Sequence, residues 1–172
     1  MLKLLGSILI ISATTLTGFY MAWRLGERTK QLRQLQMCLQ MLETEIYYGS
    51  TPLAVAFRRL GQQDRGVVPA LFARCAYYLE HLDGQTTWTC WQRALTEAEG
   101  ELALRSVEKE WLEHFGKVVG GSDREDQHKH LRLMLAQFGK AEKEAEAEQA
   151  KHEKMYKTLG VLSGLMIVIL ML

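Results

Sequence analysis

Almost no stretch of this sequence alternates apolar and polar residues with a period of two, so half-buried β-strands are not expected. A charge excess is also missing. Twenty-one Lys and Arg face twenty Asp and Glu, a formal net charge of +1, far from the basic surplus that nucleic-acid binding draws on. The three cysteines, Cys38, Cys75 and Cys90, show no C-x-x-C spacing, which suits a reducing compartment and buried thiols better than a disulfide framework. H-E-x-x-H is absent. The two prolines, Pro52 and Pro69, both stand where a helix can begin. With 172 residues, the chain is long enough for one domain of ordinary size.

What the sequence does have is apolar residues gathered at its two ends. From Leu4 to Trp23 no charge occurs, and about 20 residues of helix span roughly 30 Å, the thickness of a bilayer's hydrocarbon. Tyr20 and Trp23 close the run, where aromatic rings favour the interface, and Arg24, Arg28, Lys30 and Arg33 follow. The last stretch, TLGVLSGLMIVILML, is also uncharged. At about 15 residues it needs bilayer thinning and snorkelling by Lys157 to span. A cleaved signal peptide competes for the first segment, but Ile11-Ser12-Ala13 is a poor small-x-small site, and the uncleaved anchor is preferred. Lys151, Lys154 and Lys157 precede the tail. The positive-inside rule therefore puts residues 24 to 157 in the cytoplasm and both ends outside.

Between the ends, apolar residues recur at three and four. Leu32, Leu35, Leu39, Leu42 and Ile46 lie on one helical face, and Gly49 ends that helix. Thr51-Pro52 reads as N-cap and first residue of a second helix through Leu53, Phe57 and Leu60. Val68, Leu71, Cys75, Leu79 and Leu82 mark a third, and Trp88, Trp91, Leu95 and Ala98 a fourth. A fifth runs from about Leu102 through Leu104, Val107, Trp111, Phe115 and Val118 to Gly120. A sixth begins at Ser122 and needs no break before the tail. The expected fold is all-α: a six-helix, bundle-like cytoplasmic domain (25–139) after an anchor (1–24), then a charged helical stalk (140–157) and a C-terminal membrane segment (158–172). On the stalk, Glu148 with Lys151 and Glu153 with Lys157 are spaced for surface pairs. With no apolar a/d seam, a solvated stalk is preferred to a coiled-coil surface.

The stretch most like an active site is GGSDREDQHKH, Gly120 to His130. Local helix physics accounts for its carboxylates. Ser122 and Glu125 form a capping box, and Asp123, Glu125 and Asp126 suit the positive end of the helix dipole. At 100° per residue, Asp123, Asp126 and His130 share a side and are the only candidate metal or acid/base trio, while His128 points away. The cap is preferred, so no metal, cofactor, catalytic residue or small-molecule substrate is expected. Arg124 and Gln127 project toward the apolar side, and the guanidinium is expected to bind carbonyls or a carboxylate at a neighbouring helix end. Arg58, Arg59 and Arg65 can form a basic contact patch, although arginines at helix ends are usually just solvated. Gly6, Thr14, Gly18 and Ala22 share an i+4 row, and Gly160-x-x-x-Gly164 lies in the tail. Both are candidate membrane-helix packing faces, between the two segments or between copies.

The segments LKLLGSILIISATTLTGFYMAWRLGERTKQLRQLQMCLQMLETEIYYGSTPL, FGKVVGGSDREDQHKHL and EKMYKTLGVLSGLMIVILML together resemble stage III sporulation protein AB of endospore-forming bacteria, over essentially the whole chain. The resemblance implies a mother-cell membrane protein facing the forespore, required for endospore formation, within a secretion-like channel complex. It further implies a helical domain similar to those of inner-membrane platform proteins of type II secretion and type IV pilus machines, which are thought to link a cytoplasmic ATPase to the membrane assembly. This chain departs from the platform pattern in having one six-helix domain and no internal second copy. The expected role is a non-enzymatic scaffold, with other channel proteins and a cytoplasmic ATPase as partners. Alternatives are a membrane-anchored adaptor recruiting a cytoplasmic partner and a membrane-anchored metal-dependent enzyme.

Overall fold

Spacings of three and four become six helices: α1 (Leu2–Tyr47), α2 (Leu53–Gly61), α3 (Val67–His81), α4 (Thr87–Ala98), α5 (Ser106–Val119) and α6 (Arg124–Met171). The computed structural model describes the backbone of residues 2–47, 51–82, 84–121 and 124–171, and their side chains except 2–5, 7, 46–47, 124–125 and 170–171. No strand occurs among the described residues, so the all-α reading holds. The chain forms two compact units. One comprises Lys30–Glu142, the other Met1–Thr29 with Lys143–Leu172.

The Lys30–Glu142 unit is a helical bundle around the leucine stripe of α1. Leu32, Leu35, Leu39 and Leu42 are completely buried, the outcome their spacing requires. Ile46 and Gly49 lie outside the residues described in side chain or backbone. Four aromatic rings fill the centre between α2, α3, α4 and α5. Trp91 lies 4.9 Å from Phe115 and 5.3 Å from Phe72, and Phe57 lies 5.2 Å from Phe72, centroid to centroid. Tilted and edge-on rings at these spacings complement one another's quadrupoles. The Trp91 indole is fully buried, and its Nε1–H donates to the Leu112 carbonyl at 2.8 Å. Phe138 of α6 takes the Trp111 ring edge-on at 5.4 Å.

Three helix boundaries differ from the sequence reading. α5 starts at Ser106 rather than near Leu102. Leu102 and Leu104 are buried nonetheless, in an irregular segment held by Gln31 of α1. The Gln31 side chain donates to the Glu101 carbonyl at 3.1 Å and accepts from the Ala103 N–H at 2.8 Å. The Arg105 N–H then donates to Glu108 at 2.7 Å, starting the helix. The buried face of α5 is also turned from the expected one. Leu112, Phe115, Gly116 and Val119 face inward while Val107 is half exposed. Gly116 explains the rotation: a Cβ there would run into the Trp91 ring, so this side of α5 is where the indole seats.

α2 begins after Pro52 with no side-chain cap. Thr51 does not cap it and donates instead to Glu45 of α1 at 2.6 Å, beside Arg59 at 2.8 Å from the same carboxylate. These donors hold the Glu45 carboxyl below its ordinary range, the Thr51 hydroxyl contributing most. A second buried amide, Gln34, donates to Asp64 at 2.9 Å in the loop before α3. Leu82 lies just past the end of α3, where its N–H still bonds the Tyr78 carbonyl at 3.0 Å.

The other unit is a hairpin of the first part of α1 and the last part of α6. Residue numbers on α6 fall as those on α1 rise: Gly164 lies by Ile11, Gly160 by Gly18, Gln149 by Gly26 and Glu148 by Arg28. The helices are therefore antiparallel. The charged stretch after Lys143 is not simply a solvated stalk. Glu148 reaches across to the buried Arg28 at 2.7 Å rather than pairing along its own helix with Lys151. Ala145 is buried as well. Glu153 does make the expected pair with Lys157, at 2.7 Å.

Candidate functional site

The hairpin seam is built from small residues. A Cβ added to Gly18 would lie 2.6 Å from the Tyr156 carbonyl oxygen and 2.9 Å from the Gly160 Cα. One added to Gly160 would lie 3.0 Å from the Thr14 carbonyl and 3.1 Å from the Gly18 Cα. Gly164 is equally tight against Thr14 and the Ile11 backbone. Only absent side chains permit this approach, where backbone packs on backbone as in small-xxx-small membrane pairs. The structure thus brings Thr14, Gly18, Gly160 and Gly164 together between the two segments, with Ala22 buried beside them. Gly6 has no heavy atom within 4 Å of its would-be Cβ and does not join.

Outside the seam, the hairpin is covered in large apolar side chains. Ile8, Leu16 and Trp23 of α1 are 66%, 70% and 60% exposed, and Met166 and Ile169 of α6 are 65% and 72%. Among the described residues, all the exposed large hydrophobics but Met37, Tyr77, Val107 and Leu133 belong to this unit. A water-soluble hairpin would have the opposite arrangement. By length and composition, α1 over Ile8–Glu45 can cross a membrane, and α6 falls short of the same measure among the described residues.

The described side chains of the polar stretch after Gly120 go to separate partners. Ser122 and Asp123, and the side chains of Arg124 and Glu125, lie outside the described residues, and with them the capping box, the guanidinium contact and one member of the Asp123, Asp126, His130 trio. Gln127 donates to the Val119 carbonyl at the end of α5 at 2.9 Å. His128 turns to Glu43 of α1, 2.9 Å away. The His130 ring lies 6.0 Å from His114 on α5. Among the described residues, no group of three His, Cys, Asp or Glu is placed to hold a metal.

Arg58 and Arg59 are paired, with Glu80 at 2.9 Å and Glu45 at 2.8 Å, while Arg65 is exposed. All three cysteines are buried free thiols. Burial pushes Cys38 and Cys75 up to about 12, with smaller contributions from Asp64 and Cys90 respectively. They are packing groups rather than nucleophiles.

The model of the stage III sporulation protein AB family matches residues 3–172. The chain belongs to that family. It is 42% identical to stage III sporulation protein AB of Bacillus subtilis (strain 168), over the whole length of both chains. A solved structure of stage III sporulation protein AB superposes with a TM-score of 0.68 at 36% identity, covering 73% of this chain and 98% of that one.

The glycine seam and the Leu112/Gly116 face of α5 belong to this family member in different ways. The first was visible as an i+4 row of small residues. The second had no sequence signal, because a glycine inside a helix reads only as a weak point.

Proposed function

We propose that this family member is a non-enzymatic membrane scaffold in a secretion-like channel complex between mother cell and forespore. In this reading both ends of the chain lie outside and the helical domain lies in the mother-cell cytoplasm. The observation that carries it is the inverted hairpin, with small residues inside and large apolar ones outside. Such a surface is stable only where lipid replaces water. The antiparallel seam lets the short tail cross beside α1, and the basic residues that follow Trp23 and precede the tail keep the intervening domain on one side.

The helical domain suits a mechanical link. Its centre is filled by interlocked aromatic rings, and two buried glutamines of α1 fasten its loops. A rigid body of this kind transmits force and presents surfaces, as a platform between a cytoplasmic ATPase and membrane partners must. The test is photo-crosslinking in sporulating cells from exposed positions of residues 30–142, with captured proteins identified by mass spectrometry. Capture of a cytoplasmic ATPase together with channel membrane proteins supports the scaffold. Capture of neither by correctly inserted protein shifts the assignment to an adaptor outside any channel.

A further inference from the structure

A pocket of about 330 Å³ opens at the charged end of the hairpin, lined chiefly by Phe19, Trp23, Glu27, Gln149, Glu153 and Lys157. Phe19 and Trp23 are 50% and 60% exposed. The Lys157 ammonium stands 6.0 Å from the centre of the Phe19 ring and 2.7 Å from Glu153. Gln149 donates to the other Glu153 oxygen at 3.1 Å. Glu153 is therefore already satisfied. Glu27 is half-buried on the same wall, and among the described residues its carboxylate makes no hydrogen bond or ion pair. A half-buried carboxylate without a partner in a ready-made pocket is an acceptor site waiting for a cation.

We propose that this pocket binds the headgroup of an aminophospholipid, a diacyl phosphate ester ending in a primary amine. The inference rests on the membrane reading above, which puts Trp23 at the interface. From Phe19 to Glu27 the helix rises about 12 Å, enough to cross the polar layer of one leaflet, about 5–8 Å deep. Two carboxylates against one ammonium leave the lining with an excess negative charge, which disfavours a purely anionic headgroup. Glu27 takes the lipid ammonium, and Lys157 faces the phosphate. A trimethylammonium is a poorer fit, since it has no N–H to donate to Glu27 and two rings do not make an aromatic cage. The acyl chains lie on the exposed apolar surface of the hairpin.

The test is native mass spectrometry of the full chain in detergent, titrated with phosphatidylethanolamine, phosphatidylglycerol and phosphatidylcholine of identical acyl chains. One phosphatidylethanolamine should be retained about tenfold more strongly than either of the others, the effect of one charge-assisted hydrogen bond. Glu27→Gln should remove most of that preference, and Lys157→Gln should weaken it independently. Glu27 has no partner to lose, so its variant should keep the wild-type helical spectrum. Equal retention of the three lipids, preference for the anionic one, or an unchanged preference in Glu27→Gln overturns the headgroup site. Alkaline extraction of cell membranes separates the two readings. Release into the soluble fraction overturns both, whereas retention without lipid preference overturns the headgroup site alone.

Discussion

Replacing Gly116 with alanine should destabilise the helical domain, against the usual trend for a glycine inside a helix. Helix propensity alone favours alanine by about 1 kcal/mol. The structure opposes it, because the new methyl would run into the Trp91 Cδ1 and lie 2.6 Å from its Cγ and 2.9 Å from its Nε1. Ordinary carbon contacts begin near 3.5 Å, so the ring or α5 must move by more than about 1 Å. Neither moves freely. The indole is completely buried among Phe57, Phe72 and Phe115, and its N–H is tied to the Leu112 carbonyl at 2.8 Å. Overpacking of this kind costs about 1–3 kcal/mol, and the rigid neighbours place it in the upper part of that range. The net loss is then about 1–2 kcal/mol. Urea unfolding of the full chain in mild detergent, followed by tryptophan fluorescence, should show a lower midpoint with an unchanged slope. In a Trp91→Leu background the obstacle is gone, and Gly116→Ala should become neutral or stabilising, a coupling that independent sites do not show. A stabilising Gly116→Ala in the otherwise native chain would refute the argument.

Gln31→Leu should lower stability by about 1–2 kcal/mol, because the half-buried Ala103 N–H loses its acceptor. Hydrogen exchange should localise the damage to the segment before α5, and an unchanged exchange rate there would contradict the assignment. Cys38 and Cys75 should resist a thiol reagent at pH 8 in the folded chain and react once it is unfolded in urea, since burial raises both to about 12. The raised values also set a sign. Their contribution to stability is full below the ordinary thiol value of 9.0 and is lost as pH climbs from there toward 12. Gly160→Leu should push apart helices whose backbones meet at that point, so the detergent-solubilised chain should aggregate at a lower temperature, with Gly160→Ala intermediate. Equal behaviour of the leucine variant and wild type would argue against the seam.

The helices were legible because apolar residues at three and four leave one solution: Leu32 to Leu42 of α1, Val68, Leu71 and Cys75 of α3, and Trp91, Leu95 and Ala98 of α4 are buried as their spacing marks, while Leu79, Leu82 and Trp88 are only half-buried. What was not legible depends on partners distant in sequence. Gln31 and Gln34 look like two more polar residues among many, yet each fastens a loop more than 25 residues away. The start of α5, at Ser106 rather than near Leu102, is hidden for the same reason. Leu102 and Leu104 carry the apolar weight of a helix, but their burial comes from the Gln31 bridge, and the helix waits for Glu108 to accept the Arg105 N–H. Glu148 offered a local partner, Lys151, and took Arg28 instead, because a cation that is only 6% exposed needs a counter-charge more than a surface lysine does. The glycine row was readable in outline, but which helix it would meet was not.

α1 carries two opposite packing rules, one in each compact unit. Up to Ala22 its inward side is small, Thr14, Gly18 and Ala22, and its outward side is large and apolar. From Leu32 onward the inward side is leucine and completely buried. In water, association is driven by removing large apolar groups from solvent, so they must face inward. In lipid that drive vanishes, and backbones attract by close contact, so small residues must face inward and large ones outward. The change falls between Ala22 and Leu32, where Arg28, Thr29 and Gln31 are buried at 5%, 5% and 2% exposure. These polar groups fit neither rule. Each is held by a specific acceptor: Glu148 for Arg28, the Leu25 carbonyl for Thr29 and the Glu101 carbonyl for Gln31. A slip of the hairpin by one turn is therefore opposed twice: it would bring the Cβ of Thr14 or Ala22 to where Gly18 stands, and it would leave a buried guanidinium without its carboxylate. Register within the hairpin is set by fit at the glycine seam and by a directional bond at its charged end.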